Sequence, residues 1–108
     1  MLVIKNKILP LGKKFFAINL FGIVFVKGEC CNEVLNHEKI HSRQMIELLV
    51  LPFYLFYFLE WIIRLMQYRT NYEAYLHISF EREAYENQKN LEYLEKRKKF
   101  NFVHYIIN

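Results

Sequence analysis

The sequence predicts an α+β fold, mostly α, with a short N-terminal β-hairpin or small sheet packed on two helices. Three observations carry this expectation. β-branched and aromatic runs crowd the first 28 residues. The second half is rich in Glu, Lys, Arg and Leu, which are good helix formers. Only three Gly and two Pro punctuate the 108 residues, which leaves little room for long irregular loops. At this length residues 1–108 form a single domain with a modest core.

The elements follow in order. Phe15-Phe16-Ala17-Ile18-Asn19-Leu20 and Ile23-Val24-Phe25-Val26 read as strands, with Gly22 in the turn between them. Lys27-Gly28-Glu29 turns the chain out of the sheet. Asn32 is suited to cap a helix, and Glu33 falls in the first turn, where the helix dipole favours an acid. That helix runs on through Gln44, Met45 and Leu48 until Pro52 kinks or ends it. From Leu48 to Leu59 no residue is charged. Glu60 and Arg64 then interrupt, at a spacing that lets them pair on one helix face. Thr70-x-x-Glu73 has capping-box form and starts the second long helix, which runs to about Lys96. The aromatic tail, 100–108, is expected to dock back onto the body.

Composition narrows the function classes. Apolar residues make up 54% of the chain and aromatics 18%, too hydrophobic for disorder. The net charge is +4, much of it in Lys96-Arg97-Lys98-Lys99 and in Lys5, Lys7, Lys13 and Lys14. Such runs form solvated faces or attract an anionic lipid or acidic partner. No nucleic-acid module is recognisable, so no nucleic-acid partner is expected. Cys30 and Cys31 are adjacent, a spacing that strains a mutual disulfide, and there is no C-x-x-C. Loop or core thiols suit them better than metal ligation. With no secretory leader in the first fifteen residues, a cytoplasmic location is expected.

Residues 48–66 are apolar nearly all round, which is more than a small core covers. The uncharged part is shorter than the about twenty residues a bilayer span needs, and Glu60 and Arg64 make a longer span costly. The segment is expected to meet its own core, a second copy of the chain in a homo-oligomer, or a membrane surface. Tyr54, Tyr57, Trp61 and Tyr68 suit either kind of interface.

The chemistry concentrates in Asn36-His37-Glu38-Lys39-Ile40-His41, which contains H-E-x-x-H. At about 3.6 residues per turn, His37 and His41 share one helix face and can hold one Zn²⁺. Glu38 sits beside that face and can act as general base toward a water on the metal. A motif this short also arises by chance on solvated helices, so its setting matters. A catalytic zinc takes three protein ligands and one water, so two histidines do not complete the site. On the second helix His77, Glu81 and Tyr85 fall one turn apart on a common face. Either His77 or Glu81 can supply the third ligand. Glu83 points about 200° away from that face, toward solvent. His104 reads as a plain tail residue. Gln44, one turn beyond His41, belongs either to the cleft wall or to the open surface.

Glu81-Arg82-Glu83-Ala84-Tyr85, downstream of H-E-x-x-H, resembles the E-x-E-A-D of membrane-associated gluzincin metallopeptidases related to CaaX-processing proteases. The approach is also similar, with Val24-Phe25-Val26-Lys27-Gly28 and then Val34-Leu35-Asn36 before the motif. The resemblance covers residues 22–44 and 77–88, about a third of the chain. It implies Glu81 as the third zinc ligand beside His37 and His41, and a substrate-binding strand edge near residues 22–27. The family's Asp, which orients a ligand histidine, is Tyr85 here. Its hydroxyl is placed to take over that role or to donate to the reaction oxyanion, a task His77 could share. The function expected is a zinc-dependent peptidase acting on a peptide or protein substrate. The alternative is a non-catalytic zinc-binding or membrane-associated interaction protein on the same scaffold.

Overall fold

The computed structural model describes residues 2–6, 17–27 and 32–107. Phe15, Phe16, Lys7, Lys13, Lys14, Gly28, Glu29, Cys30 and Cys31 lie outside the described residues, so the expectations placed on them do too.

The fold is α+β and dominated by helix. Strands β1 (Leu2–Asn6), β2 (Ala17–Leu20) and β3 (Ile23–Lys27) form one mixed sheet in the order β1-β3-β2. β2 and β3 make the expected hairpin, with Ala17 opposite Val26 and Leu20 opposite Ile23. Its two-residue turn, Phe21-Gly22, has φ of 54° and 90°, the positive pair that matches the twist of the flanking strands. β1 makes this the small sheet rather than a lone hairpin, with a strand at 2–6 that the sequence does not single out. It pairs in parallel with β3, from Leu2 opposite Ile23 to Asn6 opposite Lys27. That contact makes β3 the central strand and corrects the expectation of a substrate edge at residues 22–27. The strand edge beyond the hairpin belongs to β2. Val24 and Val26, two apart and so on one face, are buried.

Helix α1 spans Asn32–Glu47 and takes in Asn32 as its first residue. Helix α2 spans Leu51–Tyr68. Pro52 starts α2 rather than breaking α1, since a first-turn residue needs no N–H partner within the helix. Leu49 and Val50 between them have φ of 62° and 64°. The Leu51 N–H reaches the Leu49 carbonyl at 2.8 Å. Val50 is thus the centre of a γ-turn of the rarer, left-handed kind. The two helices meet at a bend of 112°, and among the described residues no single helix is long and apolar enough to cross a membrane.

The expected second long helix is three helices: α3 (Asn71–Leu76), α4 (Ser79–Asn87) and α5 (Tyr93–Lys96). Thr70 caps its start as expected, with Oγ1 accepting the Glu73 N–H at 3.2 Å. At the break after His77, α2 meets the start of α4. The Glu60 carboxylate accepts the N–H and the hydroxyl of Ser79, each at 2.6 Å. It thereby caps α4 from outside, where the helix dipole favours a negative charge. The other end of α4 is held by Asn36, whose Nδ2 donates to the carbonyls of Gln88 at 2.9 Å and Asn90 at 3.0 Å. α1 and α4 are thus tied together before any metal ligand is considered.

Met45, Phe53, Ile78, Phe80 and Phe102 form the apolar core, with Tyr54, Tyr57 and Trp61 of α2 packed on it. The tail docks as expected: a 3₁₀ turn, Asn101–Tyr105, sets the Phe102 ring 4.6 Å from that of Phe80. Burying a ring such as Phe80 contributes about 1.5–3 kcal/mol. Glu60 and Arg64 pair at 3.5 Å. The outer face of α2 is uncovered, with Leu51 and Met66 each 70% exposed.

Candidate metal centre

α1 brings His37 and His41 to one face, with their Nε2 atoms 3.1 Å apart. Glu81, in the first turn of α4, points Oε1 between them, 3.0 Å from His37 Nε2 and 2.9 Å from His41 Nε2. All three side chains are buried. They form a group able to hold a metal ion.

The donor chemistry fits a cation. Gln44 sends its amide nitrogen to the Phe80 carbonyl at 3.1 Å and to Glu83 Oε1 at 2.9 Å. Both partners are acceptors, so the amide oxygen must be the atom facing His41 Nδ1 at 2.8 Å. That oxygen requires a hydrogen on Nδ1, which turns the Nε2 lone pair of a neutral His41 toward the cluster. His37 Nδ1 lies 2.8 Å from Gln88 Oε1 in the same relation. With both rings in that tautomer, two imidazole lone pairs and a carboxylate oxygen converge, and they repel unless a positive charge sits among them. Tetrahedral donors about 2.0–2.1 Å from a zinc ion stand about 3.3 Å from one another, close to the spacing found here. Without metal, a proton supplies the charge. Burial would lower the His41 pKa, but the Glu81 carboxylate beside it holds it up at about 9. Burial would likewise raise Glu81, and the two imidazoles hold it well below the usual carboxylate range.

Glu38 is buried beside the cluster, and its carboxyl lines the cleft in front of it. Burial pushes its pKa up, against the pull of His41 and His37. The cleft has a volume of about 480 Å³. β2, from Ala17 to Leu20, lines it together with Tyr54, Tyr57 and Tyr75, and Tyr54 reaches the hairpin directly, its hydroxyl accepting the Phe21 N–H at 2.8 Å. Four consecutive residues of β2 line it, so the strand presents its edge rather than one pleated face. Asn19 fixes that edge, donating from Nδ2 to the Glu38 carbonyl at 2.9 Å and Ser42 Oγ at 2.6 Å.

The other residues singled out by sequence are placed as follows. Tyr85 sits at the cluster, its ring 4.4 Å from that of His37. Its hydroxyl pairs with that of Tyr75 at 2.9 Å and orients neither ligand histidine. Burial raises its pKa to about 12, so it is a neutral hydroxyl. His77 is not brought to the site. The break at Ile78 removes the spacing that placed it one turn before Glu81. Its ring stacks on Tyr68 at 3.9 Å, and its Nδ1 donates to the Glu73 carbonyl at 2.7 Å. Glu83 does not face solvent: it is fully buried and held by Arg97, Tyr93 and Gln44. Arg97 is correspondingly no part of a solvated face, being enclosed between Glu83 and Glu47. His104 is exposed, as expected.

Sequence reasoning missed three residues. The sequence does not choose between cleft wall and open surface for Gln44; it is fully buried and orients His41. Gln88, just past α4, orients His37. Tyr57 donates to Glu81 Oε2 at 2.7 Å, fixing the carboxylate oxygen that does not face the histidines. Burial and the Glu81 charge hold the Tyr57 pKa far above its usual value, so it stays a donor. The only sequence signal for Tyr57 is a polar tip within an apolar helix.

The chain matches no protein-family model, and no curated protein or solved structure matches it.

Proposed function

We propose that the chain is a zinc-dependent peptidase of the gluzincin type, with His37, His41 and Glu81 as ligands and Glu38 as general base. The observation that carries this reading is the three-donor cluster, set beside a buried carboxylate in a cleft bordered by a strand edge. A zinc ion in that cluster would supply Lewis acidity and acidify a bound water. Glu38, its pKa raised by burial, is suited to take a proton from attacking water at its carboxylate and return it to the leaving amine nitrogen. Gln44, Gln88 and Tyr57 hold the three ligands in position. Tyr75 and Tyr85 share one hydrogen bond between their hydroxyls, and the partner that accepts it can turn its own O–H toward a carbonyl oxygen that gains charge. A peptide would add to the β2 edge through main-chain hydrogen bonds.

The test is hydrolysis of a mixed fluorogenic peptide pool by zinc-loaded protein, with Glu38→Gln as control. Turnover that survives in Glu38→Gln, or its absence from the zinc-loaded wild type, defeats the reading. A second reading, a zinc-binding module without turnover, draws on the near-complete burial of the ligands. It predicts stoichiometric zinc and no cleavage. For the exposed outer face of α2 we propose a second copy of the chain or a lipid surface as cover. Sedimentation and liposome flotation separate the two, and a monomer that ignores liposomes rejects both.

A further inference from the structure

A second cavity, of about 390 Å³, is walled by Tyr54, Tyr57, Phe58, Trp61 and Tyr75. Tyr54, Tyr57 and Tyr75 line the metal cleft as well, so the two spaces adjoin through these rings. Every wall is aromatic, and no carboxylate or cation contributes to it.

The three tyrosine hydroxyls are engaged elsewhere. Tyr54 Oη accepts the Phe21 N–H at 2.8 Å, Tyr57 Oη donates to Glu81 at 2.7 Å, and Tyr75 Oη pairs with Tyr85 at 2.9 Å. The cavity therefore offers ring surface and little hydrogen bonding. Two kinds of group favour such a lining: an apolar side chain, or a cation over ring faces. A cation entering here gives up its hydration and finds no carboxylate to replace it, and ring faces alone do not make up that loss. An apolar side chain loses nothing of the kind and gains in proportion to the ring surface it covers.

We infer that this aromatic cavity is a specificity pocket for a large apolar side chain, aromatic or branched aliphatic, of the peptide that occupies the metal cleft. The inference rests on the peptidase reading for the word peptide, but the chemistry of the pocket does not depend on the metal.

Trp61 makes this testable without catalysis. It is the single tryptophan of the chain and stands in the cavity wall. The probes are N-acetyl-phenylalaninamide, N-acetyl-leucinamide and N-acetyl-lysinamide. Each is titrated into metal-free and zinc-loaded protein while Trp61 emission is followed. The first two are expected to give a saturable shift in both forms, with lysinamide at least about tenfold weaker. Phe58→Asp keeps the tryptophan and adds a carboxylate to a wall residue that is half exposed and outside the metal cleft. It is expected to narrow the preference to less than about threefold or to reverse it. Absence of a saturable response in the wild type, or lysinamide binding as tightly as phenylalaninamide, overturns the inference, and neither result depends on the variant folding. Zinc-loaded protein that binds the apolar probes but cleaves no peptide overturns the peptidase reading and leaves the pocket's ligand class standing. Cleavage with no preference for an apolar residue next to the scissile bond does the opposite.

Discussion

Gln44 Oε1 stands 2.8 Å from His41 Nδ1, while the amide nitrogen of Gln44 donates to Glu83 Oε1 at 2.9 Å. One neutral side chain thus joins a metal ligand to a buried carboxylate and fixes which nitrogen of His41 faces the cluster. Gln44→Leu keeps the volume and removes the link. It is expected to weaken zinc about 10–100-fold, the usual effect of losing a partner behind a ligand histidine. Competition titration against a chromogenic chelator measures it. An unchanged affinity means that packing alone positions the imidazole.

Zinc should bind at one ion per chain. Glu81→Ala and His41→Ala should each lose stoichiometric binding, whereas His77→Ala should keep it, because His77 is spent on Tyr68 and the Glu73 carbonyl. Elemental analysis of the three variants after zinc loading decides. Retention by Glu81→Ala together with loss in His77→Ala would require a ligand set the fold does not bring together.

Glu38→Gln is expected to retain zinc and thermal stability while lowering peptide turnover by about 10²–10⁴-fold, the range for a general base. Zinc content and rate are measured on the same preparation. If the variant loses zinc as badly as His41→Ala, Glu38 is a ligand and its assigned role is wrong.

Arg97 and Glu83 have fully buried side chains, and Glu47 is nearly so. Arg97→Met strands two carboxylates and should cost about 3–5 kcal/mol, read from urea unfolding at neutral pH. The pH dependence has a definite sign. Burial raises the Glu83 pKa, but hydrogen bonds from Arg97, Tyr93 and Gln44 outweigh it and leave it below its ordinary value of 4.5. The stabilisation is then complete above pH 4.5 and is lost as pH falls through the lower, folded-state value. The wild type should weaken on acidification below that point, and Arg97→Met should show a shallower acid branch. Parallel branches would mean that other groups dominate the acid response.

What the sequence makes legible is local. H-E-x-x-H places His37 and His41 on one face by helix period alone, Gly22 marks the hairpin turn, and Thr70 with Glu73 marks a helix start. The third ligand needed the E-x-E-A resemblance, because periodicity could not choose between His77 and Glu81. What stayed hidden is held by partners far along the chain. The partner that caps the chain at the break before Ser79 is Glu60, so the helical pattern through residues 70–96 conceals it. Glu83 and Arg97 look like solvated charges separately and are buried only because each answers the other. β1 pairs in parallel with a strand in the next segment, a contact that no turn signal announces.

The corner at Leu49-Val50 has one more consequence. A β-branched residue at φ 64° in such a turn is costly, by about 1–3 kcal/mol. Glycine would occupy this position without that penalty. It would also let α2 swing. Because α2 carries Tyr54 and Tyr57, which line the cleft, this joint acts together with the Tyr54–Phe21 and Tyr57–Glu81 hydrogen bonds to hold the cleft wall. A supple joint would give the same chemistry a mouth of fluctuating gauge. The unfavourable backbone of Val50 is one tether among several that hold this wall, and it is the one that costs stability.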